Sequence, residues 1–244
     1  MVVNKKRIIS SVMSIFCITA VLALSGCSKA DSKPDFVIAT HGGSRTDDAV
    51  GFQLDEPAAG EEVAVIETSE GTVKIRLFPD SAPIGVANFK GLVNKGYYDV
   101  LSFHRIVTDF VAQTGDPTGT GTGGKSLWGD EFETEVNNNL LHLKGAVAYA
   151  NRGAGTNSSQ IYFVTCTEVD EQDLITYPRS KDERNLYAEY GGTPYLDYAK
   201  SYTVFGQVYE GLDVLDKINK CGSAETEGTP TKEVTIIKAT IEKI

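Results

Sequence analysis

The chain is short of positive charge. Its 244 residues carry 23 Lys and Arg against 33 Asp and Glu, a net charge of −10 at pH 7. That balance makes a poor partner for nucleic acid, whose binding needs cations against phosphate. Histidine is scarcer, with 3 residues. His41, His104 and His142 show no metal-ligand spacing with cysteines or acids, so no metal is expected and they read as structural or exposed. No Gly-x-Ser-x-Gly occurs, which removes the serine elbow of a hydrolase. Nor is there an aliphatic run ending in Asp that would hold magnesium beside a nucleotide. No internal repeat is present.

That last deficit bears on GTGTGGKS at 119–126, which satisfies a phosphate-loop pattern. Such a loop follows a buried strand and opens a helix whose amides hold the anion. Here a turn, TGDPT with Asp116 and Pro117, precedes it. Gly129 follows early, and Asp130, Glu131 and Glu133 would repel a triphosphate. The match is rejected, and with it the expectation that ATP would raise the melting temperature.

Long apolar runs are also few, and the main one stands at the N-terminus. Lys5, Lys6 and Arg7 precede an apolar stretch from Ile8 to Gly26, then Leu24-Ser25-Gly26-Cys27 closes it. This is the layout of a secretory signal, with Cys27 where a bacterial lipobox carries its lipid. The expectation is a signal peptide at 1–26, a lipidated Cys27 with a flexible tether at 27–60, and an extracytoplasmic body anchored to the bacterial cell membrane. A single spanning helix is the alternative. Loss of three cations with the signal leaves a mature charge of −13, so a lipid rather than the acidic surface would hold the protein to a membrane. Of the four cysteines, Cys17 leaves with the signal, and Cys166 and Cys221 either pair or remain separate buried thiols.

Residues 61–244 suit one domain, read mostly as strands. EVAVIET and TVKIRLF flank a short turn, with Val73, Ile75 and Leu77 alternating with Lys74 and Arg76. Ser81 and Pro83 start a helix whose Val86, Phe89 and Leu92 share a face, and Gly96 ends it. Strand-like runs recur at SFHRIV, FVAQT, GAVAYA, QIYFVT, YTVFGQV and EVTIIKATIEKI, and a second helix fits GLDVLDKINK. The fold class is mainly β: seven or eight strands and two helices, as in a closed eight-stranded antiparallel barrel capped by two α-helices. A polar segment at about 168–193 interrupts two strands as a surface insertion.

Several segments in order resemble the cyclophilin family of peptidyl-prolyl cis-trans isomerases. They are FPDSAPIGVANFKGLV, FHRIVTDFVAQTGDPTGTGTGGKSLWGDEF, GAVAYANRGAGTNSSQIYFV, PYLD and YTVFGQVYEGLDVLDKI. The likeness runs from about Glu61 to the C-terminus, less the insertion, and its fold is the same capped barrel. It implies a prolyl isomerase with no cofactor, acting as a monomer on proline-containing, unfolded or extended polypeptides. In this lipoprotein form the clients would be exported or cell-surface chains whose folding it assists. The resemblance puts the catalytic arginine at Arg105, with Gln113 and Phe110 beside it. Phe110, Val111, Tyr162 and Leu196 would form the proline pocket. Ala150, Asn151 and Arg152 would pair with the peptide backbone, and Gly121, Gln160, Tyr195 and Tyr202 would complete the groove. Val111 and Gln113, like Gln160 and Tyr162, lie two apart and share a strand face.

The chain departs from the family pattern in five places. Val111 replaces a Met, Arg152 an Ala, Thr114 a Gly, Tyr195 a Trp and Tyr202 a His. Without that Trp the resemblance gives no ground for tight cyclosporin binding. The competing expectation on the same fold is a peptide-binding chaperone module with little turnover, in which Arg152 and the insertion serve a partner.

Overall fold

The computed structural model describes residues 49–224 and 227–244. The signal segment, Cys27, His41 and most of the expected tether lie outside the described residues.

Eight strands form one antiparallel sheet in the order β3-β4-β6-β5-β7-β2-β1-β8. They are β1 (Glu62–Thr68), β2 (Gly71–Leu77), β3 (Arg105–Val107), β4 (Val111–Thr114), β5 (Ala146–Tyr149), β6 (Ile161–Val164), β7 (Val204–Glu210) and β8 (Ile236–Lys243). The β1–β2 hairpin turns at Ser69-Glu70, where Thr68 Oγ1 accepts from Glu70 N at 3.1 Å and donates to Gly71 O at 2.7 Å. Alternating Val73, Ile75 and Leu77 bury as expected.

The expected closed barrel is corrected to a curled, open sheet. Its edge strands β3 and β8 do not pair as strands. The outer edge of β3 is taken instead by the loop after the last helix. Ile106 N donates to Gly228 O at 2.7 Å, and Thr108 N to Ser223 O at 3.0 Å. The two edges meet only where the chain leads into them. Phe103 N donates to Val234 O at 2.9 Å and Ile236 N to Leu101 O at 2.8 Å, about a single Ser102–Thr235 bridge. An edge strand sheathed by a loop cannot recruit a further strand.

The first cap is α1 (Pro83–Asn94), with Pro83 in its first turn and Val86, Phe89, Leu92 and Val93 buried. The second is α5 (Leu212–Asn219), which buries Val214, Leu215 and Ile218. Both pack into the main core with Ile75, Ile106, Phe163 and Phe205. Three further helices correct the two-helix expectation: α2 (Glu171–Thr176), α3 (Lys181–Tyr190) and α4 (Pro194–Ala199). The polar insertion is therefore largely helical. Asp170 caps α2 by accepting from Gln172 N at 2.7 Å. Ser180 caps α3 by accepting from Glu183 N at 3.1 Å, while Glu183 accepts from Arg179 N at 2.7 Å. The first is a side-chain cap on the helix start, and the second ties the residue before the cap to the first turn. Tyr187 of α3 packs with Leu141 and Leu143 in a small separate core.

The folded body begins before Glu61. A 3-10 turn at Phe52–Leu54 lies within the span expected to be tether, yet Phe52 and Gln53 are buried. Gln53 donates to Leu141 O at 2.9 Å and Gln207 Oε1 at 2.8 Å, and accepts from Leu141 N at 2.7 Å. Arg76 Nη1 holds Phe52 O at 3.0 Å.

Candidate active site

The site lies on the face of β3, β4, β6 and β5 opposite the main core. Strand register sets Arg105 against Gln113, Gln113 against Tyr162, and Tyr162 against Ala148. Their sequence neighbours Ile106, Ala112 and Phe163 point inward. A slip of one residue would exchange the two sets, so the hydrophobic alternation aims the polar side chains outward.

Each member is held locally. The aliphatic stem of Arg105 packs on Gly228, where an added Cβ would come within 2.9 Å of its Cγ. The β3–β4 turn places Asp109 in the left-handed region, at φ 55°, a conformation that Asp tolerates better than most residues. Asn219 at the end of α5 clamps that turn, accepting from Asp109 N at 2.9 Å and donating to Asp109 Oδ1 at 3.1 Å. Phe110 follows directly and is aimed at the hollow. Pro194 begins α4, which brings Leu196 in from the insertion side.

Arg105, Phe110, Val111, Gln113, Ala150, Asn151, Tyr162, Leu196 and Tyr202 together line a hollow of about 130 Å³. An adjoining hollow of about 90 Å³ shares Gln113, Ala150 and Asn151 and adds Gly121, Arg152 and Gln160. Arg152 spans its rim in an ion pair with Glu131. Tyr195 does not enter the first hollow. It is 51% exposed, packs edge-on against Tyr177 at 5.6 Å, and lines a separate cavity that touches the first through Phe110.

A chain of amides fixes the groove wall. Gln113 Nε2 donates to Gln160 Oε1 at 2.8 Å. Gln160 Nε2 donates to Gly121 O at 3.0 Å and Gly123 O at 2.7 Å. Those carbonyls belong to the glycine-rich loop, which is ordered by Asp116. Thr118 N, Thr120 N and Gly123 N all donate to the Asp116 carboxylate, at 2.7, 3.2 and 3.1 Å. Burial works to raise the Asp116 pKa, but the hydrogen bonds from Thr118, Gly123 and Gly121 outweigh it and hold the group at about 2. The amides a phosphate would need thus already serve a carboxylate, and no helix opens after Ser126, which explains the false phosphate-loop match.

Behind the hollow stands a network the sequence did not reveal. Tyr162 and His142 meet at 2.9 Å between hydroxyl and Nε2, and His142 Nδ1 meets Asp197 Oδ1 at 2.6 Å. Tyr187 also donates to Asp197. These partners come from β6, the loop before β5, α3 and α4, so no short spacing announces them. His104, beside Gly121, has both ring nitrogens buried without a hydrogen-bond partner, and burial pushes its pKa down. Asp116 was legible in principle, since Asp-Pro-Thr-Gly is a turn signature in which the carboxylate caps backbone amides.

Cys166 and Cys221 are both free and buried, and burial raises each thiol pKa. Among the described residues no group of three His, Cys, Asp or Glu side chains could hold a metal ion.

The class of protein is thus a curled antiparallel sheet that carries a partly apolar hollow with an Arg and a Gln in its lining. Residues 63–241 match the family model of the cyclophilin type peptidyl-prolyl cis-trans isomerase. The chain belongs to that family. It is 39% identical over 199 residues to a protein assigned by name as a peptidyl-prolyl cis-trans isomerase in Staphylococcus epidermidis, covering 78% of this chain and 98% of the relative. With the corresponding protein of Staphylococcus saprophyticus it shares 41% over 170 residues, 68% of this chain and 85% of the relative. A Streptococcus pyogenes protein named as a bifunctional phosphatase and isomerase is 42% identical over 201 residues, but this chain spans only 40% of its length. Among solved structures, a Cryptosporidium parvum cyclophilin type isomerase crystallised in the presence of the dipeptide Ala-Pro superposes with a TM-score of 0.60 at 28% identity. The match covers 75% of this chain and 99% of that one.

Proposed function

We propose that the hollow between Phe110, Val111, Tyr162 and Leu196 seats the proline ring of an extended X–Pro segment and that Arg105 catalyses rotation about the preceding amide. Amide resonance sets that barrier at about 18–20 kcal/mol, so the uncatalysed step takes about 10–100 s. In the twisted state the prolyl nitrogen regains its lone pair, and a guanidinium donor aimed there binds the transition state better than either planar form. Millisecond turnover needs about 10⁴–10⁵-fold acceleration, or about 5–7 kcal/mol. One preorganised donor supplies about 3–4 kcal/mol of this, and exclusion of water by the apolar walls supplies the rest. Gln113, held by Gln160, orients the substrate backbone. Ala150, Asn151 and Arg152 pair with the extended chain, and Gly121, Gln160 and Tyr202 bound its path. Tyr195 meets substrate only beyond the proline, across Phe110.

The observation that carries this reading is the pairing of Arg105 with Gln113 across β3 and β4 at the mouth of an apolar hollow. An isomerase assay on a short Ala-Pro peptide tests it. Wild type should be active, and Arg105→Ala should lose about 10²–10³-fold in kcat/KM, the scale of one removed transition-state donor. A folded wild type that binds the peptide without turning it over would favour the chaperone alternative.

The clients are proline-containing polypeptides being folded outside the cytoplasm, and the enzyme works there as a monomer held by a lipid on Cys27. What supports this is the basic patch, apolar stretch and Leu-Ser-Gly-Cys sequence at the N-terminus. Cys27→Ser should move the protein from the membrane fraction to the soluble fraction. Unchanged membrane retention would refute the anchor.

A further inference from the structure

Tyr162 presents its ring to the hollow and its hydroxyl to the interior. The hydroxyl lies 2.9 Å from His142 Nε2. Burial raises the Tyr162 pKa well above its ordinary value, with Tyr202 and Asp197 adding to the effect, so the phenol keeps its proton. The Asp197 carboxylate on the other side of the ring can only accept, which leaves the phenol to donate to Nε2. Nε2 then accepts, which puts the imidazole proton on Nδ1, pointing at Asp197 Oδ1 at 2.6 Å. The His142 side chain is 3% exposed, so water does not compete for either nitrogen. Asp197 is itself held, accepting from His142 N at 3.1 Å and from the Tyr187 hydroxyl. It is the chain neighbour of Leu196, which lines the same hollow as Tyr162.

We propose that His142 and Asp197 are positioning residues that set the width of the proline hollow by tying its Tyr162 wall to its Leu196 wall. The inference rests on the reading of that hollow as the proline seat. Through Tyr187 and Asp197, helix α3 of the insertion and helix α4 directly after it govern how tightly proline is gripped. An imidazole suits this task because its two nitrogens span the gap rigidly and, with the phenol as donor, in one tautomer.

The test is steady-state kinetics on an Ala-Pro peptide, with melting temperatures measured alongside. His142→Leu strands a buried hydroxyl, and a stranded group must move or remain unpaired. KM should rise about 5–10-fold while kcat stays within about two-fold, because Arg105 is untouched. His142→Gln can accept from Tyr162 and donate to Asp197 through one amide, and should recover most of the loss. In a Tyr162→Phe background the hydroxyl is already gone, so His142→Leu should change KM by less than about two-fold, the signature of coupled neighbours. A purely structural role would lower the melting temperature of His142→Leu without splitting KM from kcat. Wild-type KM in folded His142→Leu, no benefit from Gln, or an equal effect in the Phe background would each overturn the proposal. If wild type binds the peptide without turnover, the catalytic reading fails alone, and the same pattern must then appear in Kd. Absence of peptide binding would overturn both.

Discussion

Replacing Asp116 by asparagine removes the carboxylate around which the glycine-rich loop is wound. Asp116 is 1% exposed and gathers the amides of Thr118, Thr120 and Gly123 together with two threonine hydroxyls. Its pKa falls from 3.8 to about 2. At 1.36 kcal/mol per pKa unit, that shift corresponds to about 2 kcal/mol of stability at neutral pH. Because the folded pKa lies below the unfolded one, the contribution is complete above about pH 4 and is lost as pH falls through about 2. For a domain of this size, 1 kcal/mol moves the melting temperature by about 2–4 °C, so Asp116→Asn should melt about 4–8 °C lower at pH 7. Denaturant titrations of both proteins should show the gap narrowing as pH drops from about 5 toward 2.5. A gap that is absent at pH 7, or that keeps its size in acid, would refute the account. The loss should also reach the groove, because Gly121 O and Gly123 O would no longer hold Gln160, nor Gln160 hold Gln113. Peptide affinity should therefore weaken in the variant even where it is fully folded.

Three other outcomes follow from packing. Gln53→Leu leaves Leu141 N and Gln207 without their partner, so equilibrium unfolding should show a loss of about 1–3 kcal/mol; an unchanged midpoint would mean the 3-10 turn is dispensable. Gly115 sits at φ 92°, and an added Cβ would lie 2.3 Å from Ser159 O. Gly115→Ala should thus destabilise strongly and disturb the β4 end that carries Gln113, which chemical-shift changes at Gln113 and Gln160 would report. Cys166 and Cys221 are buried with raised thiol pKa values. They should react with a thiol reagent at neutral pH only at the rate of local opening, and fast labelling of the folded protein would contradict that.

Much of the architecture was legible because it is local. Alternation in Val73–Leu77, Pro83 before Val86 and Phe89, and the two-residue spacings Val111/Gln113 and Gln160/Tyr162 each name an element and a face. The family resemblance then assembled those faces into one groove, and the described residues bring nearly all of them together. The insertion was legible only in part. Its polarity marks a surface segment but not the helices α2 and α3, which start at the caps Asp170 and Ser180 with Glu183. Composition alone made 27–60 a tether, although burial of Phe52 and Gln53 extends the body into it.

What the sequence by itself determined is the set of strands and their inward and outward faces, since each depends on periodicity within a few positions, while the groove residues came from the family resemblance. Only the tertiary structure decided that β3 gives its edge to Gly228 and Ser223 rather than to β8, and that Tyr195 turns away to Tyr177. It alone joined His142 to Asp197 and Tyr162. Those outcomes depend on which distant groups compete for one hydrogen bond or one patch of apolar surface, and that competition is settled when the chain packs.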